Sequence, residues 1–199
     1  MPQKTSTTPK IIVFLHLHKT GGSALSDHFK EQLANDFDTI FVHGKHYFGN
    51  MQIKLASHGY SFSVVRHPYA RCVSSINFLK VTFNQNMMLL QRILSTMDKT
   101  VNLEIIEHIG EECIKSLDVM QTQSSLTKKF KVDKIYKYEN GFEKIIEDIN
   151  KQTGTNVPLK VPRKNVSKPF YTVDQLTDSQ KERIQIVYKN DFEEWEKAV

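Results

Sequence analysis

Lys19-Thr20-Gly21-Gly22-Ser23 places one ammonium group, two hydroxyls and two glycines in five consecutive positions. Glycine lets a backbone approach a ligand with no Cβ in the way, and the lysine and hydroxyls add cationic and neutral donors. Such a set is suited to holding a phosphate-like anion. Two elements must position it. Ile11 to Leu17 is short, apolar and β-branched, which predicts a buried strand. Leu25, Phe29 and Leu33 recur at helical spacing beyond the glycines, and a helix start offers unpaired N–H groups and a positive dipole end. From these five residues alone, an ordinary strand–turn–helix with two turn glycines stays open.

A second group has the same layout. Tyr60 to Val65 predicts another buried strand, and Arg66-His67-Pro68 follows it. Pro68 suits the first turn of a helix, where its missing N–H costs nothing. Val73, Ile76, Leu79 and Phe83 supply the apolar stripe of that helix. Arg66 at the strand end and Ser74 on the helix can converge on one crevice at the carboxyl edge of an open sheet. An arginine fork with a hydroxyl suits a second phosphate. The competing reading is that Arg66 and Arg71 only solvate the helix start.

The usual ATP/GTP loop places its lysine after the glycines, whereas Lys19 precedes Gly21 and Gly22. This order resembles the 5′-phosphosulfate loop of sulfotransferases, particularly the carbohydrate enzymes of the heparan sulfate 2-O-like group. Arg66 to Phe78 is similar to the 3′-phosphate motif of the same family, R-D-P-x-x-R-x-x-S-x-Y, with His67 in place of Asp. The resemblance implies a three-layer, P-loop-like α/β fold with a mainly parallel central sheet. It also implies 3′-phosphoadenosine-5′-phosphosulfate (PAPS) as donor substrate, spent donor (PAP) as product, a hydroxyl acceptor of carbohydrate type, and no metal. On this resemblance Lys19 stabilises the leaving phosphate, and Thr20, Gly21, Gly22, Ser23 and Ala24 hold the 5′-phosphate. Arg66 and Ser74 hold the 3′-phosphate, with Arg163 or Lys164 from a late loop assisting. His43-Gly44-Lys45-His46 resembles the family segment that carries the general base, with His46 preferred and His43 as the alternative. Asn165-Val166-Ser167 and Tyr188 to Phe192 resemble features near the end of many members.

Composition bounds the rest. A chain of 199 residues with 39% hydrophobic residues predicts one soluble domain over residues 11–199, preceded by a flexible leader at 1–10. A net charge of +5 favours an anionic partner. No nucleic-acid module is visible, so no nucleic-acid partner is expected. No run is long enough to span a bilayer, and no signal peptide is apparent, so the expectation is a cytoplasmic protein. Cys72 and Cys113 cannot build a disulfide framework and read as buried fillers. His16 and His18 share one face of a strand, but no third metal ligand accompanies them. His28, His58 and His108 read as surface or half-buried.

Thr39 to Val42 and Lys134 to Tyr138 predict further strands. Helices are expected over 86–94, over 102–117, from Phe142 to a stop at Gly154, and from a Thr177/Gln180 capping box to the end. The last helix is expected to bury Ile184, Val187, Tyr188 and Trp195. Glu139 reads either as orienting a base or the acceptor, or as a carboxylate favoured at a helix start. Two rival functions remain: a metal-dependent P-loop kinase, which requires a lysine after the glycines, and a catalytically inactive nucleotide- or glycan-binding protein.

Overall fold

Strand β1 (Ile11–His16) and strand β3 (Tyr60–Val65) are almost wholly buried, as their apolar sequences require. The computed structural model describes residues 11–33, 38–43, 59–82, 101–110, 114, 117–162 and 168–199, with the backbone alone at 38–43. With strand β2 (Asp38–His43) and strand β4 (Lys134–Lys137) these elements form a four-stranded sheet in the order β2-β1-β3-β4. Every neighbouring pair is parallel. All four carboxyl ends therefore lie along one edge, where open α/β sheets place their ligand crevice.

Alternation along the strands sorts side chains onto two faces. Ile12, Phe14, Phe62, Val64 and Tyr136 pack against helix α1 (Gly22–Leu33) through Leu25, Phe29 and Leu33. The same cluster includes Ile145, Ile146 and Ile149 of helix α4 (Phe142–Thr153). Val13, Leu15 and Val65 face the other way, against Phe130 of helix α3 (Gln123–Phe130) and Trp195 of helix α6 (Lys189–Lys197). Helix α2 (Pro68–Thr82) builds a third cluster with Ile105, Ile106 and Met120, together with Ile184 of helix α5 (Asp178–Val187). The result is an α/β arrangement with helices on both faces of a small parallel sheet.

Local signals explain several boundaries. Gly154 closes α4 with φ +71°, in the left-handed region. The Thr177/Gln180 capping box starts α5. Across β3 and β4, the Tyr60 and Tyr136 hydroxyls lie 2.8 Å apart. Tyr136 donates to Asp148 Oδ2 at 2.5 Å, and Lys134 Nζ donates to the same oxygen at 2.6 Å. Burial, followed by the bond to Asp148, pushes the Tyr136 phenol well above its ordinary range.

Several expectations need correction. Residues 102–117 are not one helix. A 3₁₀ segment, Leu103–His108, starts where the Asn102 carboxamide accepts the Glu104 N–H, and Ile109 turns extended. The closing helix divides at Tyr188, and Val187 and Trp195 are only half-buried. His28 is buried, with Nε2 2.6 Å from the Pro158 carbonyl oxygen. Cys72 is buried as expected. The leader 1–10, His58, the 86–94 helix, Cys113 and the N-x-S feature at Asn165 lie outside the described residues. No helix among the described residues is long and apolar enough to cross a membrane.

Candidate functional site

The loop after β1 and the turn after β3 sit side by side because β1 and β3 are neighbours in the sheet. Arg66 Nη1 donates to the Lys19 carbonyl at 3.3 Å, and Arg71 Nε donates to the His18 carbonyl at 3.2 Å. Both arginines of the second motif thus turn carbonyls of the first loop toward themselves. Lys19 itself adopts φ +65°, a left-handed conformation that costs a non-glycine residue about 1–2 kcal/mol. The two arginine bonds hold that strained turn in place.

The glycines serve packing as well as access. Gly21 has φ +74°, and a Cβ there would lie 2.6 Å from Tyr138 and 2.7 Å from Phe142. A Cβ on Gly22 would fall 1.9 Å from Cδ2 of His16. The His16 ring is buried and stacks on Phe14, with centroids 5.7 Å apart. His16 and His18 rings are 6.5 Å apart.

Hydroxyls divide between structure and solvent. Thr20 is fully buried, and its hydroxyl donates to the Leu17 carbonyl at 2.8 Å, so only its backbone N–H remains to meet a ligand. Ser23 is exposed and Ser74 half-buried on α2, while Ala24 lies half-buried in the first turn of α1. Ser75, by contrast, is spent on the Arg71 and Val119 carbonyls.

The site is electropositive and partly dry. The Lys19 ammonium lies 4.6 Å from the centroid of the Phe78 ring. Burial, and then the nearby Arg66 charge, lower the Lys19 pKa. The Arg66 guanidinium lies 4.9 Å from the Tyr138 ring centroid, and its Nε is buried without a hydrogen-bond partner. Burial lowers the Arg66 pKa, against the opposing influence of Tyr138 and Glu139. Two adjacent, partly desolvated cations with an orphaned donor are what an anion would relieve.

Arg71 does not solvate the helix start. It is 3% exposed and also donates to the Val119 and Gln121 carbonyls. His67, standing where the family motif has Asp, keeps an acceptor at the start of α2: its Nδ1 accepts the Tyr69 N–H at 3.3 Å. Glu139 supplies the nearby acid. Its Oε1 accepts the His67 N–H at 2.9 Å, and its Oε2 accepts the Trp195 indole N–H at 2.9 Å. The carboxylate therefore ties the β3 turn to α6.

The backbone of His43 closes β2 in register with His16, at the same sheet edge as Lys19. His46, Arg163 and Lys164 lie outside the described residues. Sequence reasoning missed Arg71 as a carbonyl clamp and Tyr138 as the ring over Gly21. The motif spacing contained the first; nothing in the chain's order announced the second. Comparison with family models, curated proteins and solved structures found no significant match.

Proposed function

We propose that this protein is a PAPS-dependent sulfotransferase acting on a hydroxyl acceptor, with carbohydrate as the acceptor class. The observation that carries the reading is the meeting of Lys19 and Arg66 at the carboxyl ends of adjacent parallel strands. Lys19, Ser23 and the loop N–H groups are available to one phosphate, and Arg66 with Ser74 to another. A nucleotide phosphorylated at both the 3′ and 5′ positions matches that pair of cationic groups.

In this reading the acceptor oxygen attacks sulfur in line, the S–O bond to the 5′-phosphate breaks, and the bond pair stays on the departing phosphate oxygen. Lys19 neutralises that oxygen. The acceptor proton passes to a base, for which His46 is preferred over His43. Catalysis is then mainly positioning and charge stabilisation.

Thermal shift with PAP, with ATP plus magnesium, and with buffer tests the assignment. PAP should stabilise the protein well above ATP, because only PAP brings a 3′-phosphate to Arg66 and Ser74. Equal shifts from both nucleotides would refute it. Donor turnover with a panel of sugars then tests catalysis. Normal turnover by His46→Ala would remove that residue as the base.

A further inference from the structure

Past Val65, the last β3 residue paired with β4, the ladder ends, and a side chain takes the place of a strand neighbour. Gln123, the first residue of α3, pairs with both backbone groups of Arg66. Its Oε1 accepts the Arg66 N–H at 2.8 Å, and its Nε2 donates to the Arg66 carbonyl at 2.8 Å. Gln123 is 1% exposed, so no water substitutes for either bond.

Gln123 is itself fixed from α6. Its N–H donates to Asp191 Oδ2 at 2.8 Å. The Ser124 N–H and hydroxyl donate to Asp191 Oδ1 at 2.9 and 2.7 Å. Thr122, at the cap position, makes no side-chain cap bond, so Asp191 caps α3 from another helix. Three donors, with Arg71 Nη1 at 3.9 Å, hold this buried carboxylate. The Tyr188 hydroxyl steadies the approach to α3 by donating to the Met120 carbonyl at 2.8 Å.

We propose that Gln123, anchored by Asp191, is the positioning residue for Arg66. It fixes the peptide from which the guanidinium leaves the sheet and so acts chiefly on affinity for the phosphate at Arg66, since Arg71 also holds the Lys19 loop through the His18 carbonyl. The proposal rests on the two-phosphate reading of the site.

The test is calorimetric titration of the full chain with PAP and with adenosine 5′-phosphate, which lacks the 3′ group. Wild type should prefer PAP. Gln123→Met removes both bonds at similar volume and should weaken PAP about tenfold while changing adenosine 5′-phosphate by less than about twofold. Gln123→Glu keeps an acceptor for the Arg66 N–H and should fall between. Should Gln123→Met fail to fold, Gln123→Glu is judged by the same selective loss. Equal weakening of both ligands, or of neither, overturns the proposal while leaving the two-phosphate reading intact. A wild type with no preference for PAP overturns that reading, and the proposal falls with it.

Discussion

Gly22→Ala tests whether the glycine loop is shaped by its own packing. The added Cβ would sit 1.9 Å from Cδ2, 2.4 Å from Nε2 and 2.7 Å from Cγ of His16, where ordinary contact needs about 3.4 Å or more. The ring would have to retreat by roughly 1.5 Å into a region closed by Phe14. Overpacking of this kind costs typically 1–3 kcal/mol. Alanine in place of glycine in a helix returns at most about 1 kcal/mol, and less in the first turn. The net expectation is a loss of about 1–2 kcal/mol, or roughly 2–8 °C in a chain of this size. Urea unfolding of wild type, Gly22→Ala, His16→Ala and the double variant forms a cycle that isolates the contact. In the His16→Ala background Gly22→Ala should become neutral or slightly stabilising. An equal loss in both backgrounds, or a single-variant loss under about 0.5 kcal/mol, would refute the packing argument.

Lys19→Ala should nearly abolish turnover and remove most of the PAP thermal shift; a variant with more than about a tenth of wild-type turnover would exclude Lys19 from charge neutralisation. Because burial and Arg66 lower the Lys19 pKa, PAP affinity should fall at alkaline pH as Lys19 loses its proton, a dependence that calorimetry should find absent in Lys19→Ala. Burial lowers the His67 pKa from its ordinary 6.5, with Glu139 opposing. Its contribution to stability is therefore full above that ordinary value and is lost as pH falls through it and on through the folded pKa. Chemical denaturation of wild type and His67→Asn between pH 8 and pH 5 (about the ordinary range of histidine) should show the variant with the flatter profile. The Cys72 thiol, buried and pushed up to about 12, should resist alkylation in the native protein and react only on unfolding, as peptide mass spectrometry would read.

Ile11–His16 was legible as a strand from its apolar run and Tyr60–Val65 from its aromatic and β-branched residues, whereas Lys134–Lys137 offered only Ile135 and Tyr136 between lysines. The two loops were legible as strand-to-helix turns, since Gly21–Gly22 and Pro68 stand where α1 and α2 begin. What escaped were contacts between distant residues. His28 read as surface or half-buried because its partner, the Pro158 carbonyl, is 130 positions away. The spacing of apolar residues in 102–117 suited one helix, yet the Asn102 cap and the extended Ile109 end the first part as a 3₁₀ segment, Leu103–His108. For Arg71 a solvated charge stayed open as the competing reading, since its three carbonyl partners belong to two remote segments. Gln123 carries no signal at all in a single sequence, its role being defined by a peptide 57 residues earlier.

The tyrosine–aspartate–lysine network joins β3, β4 and α4 through side chains that belong to neither the Lys19 loop nor the Arg66 turn. Scaffold bonds and the proposed site thereby draw on separate side chains. A directed-evolution campaign can therefore vary Ser23 and Ser74 while leaving the Tyr60–Tyr136–Asp148 bonds untouched.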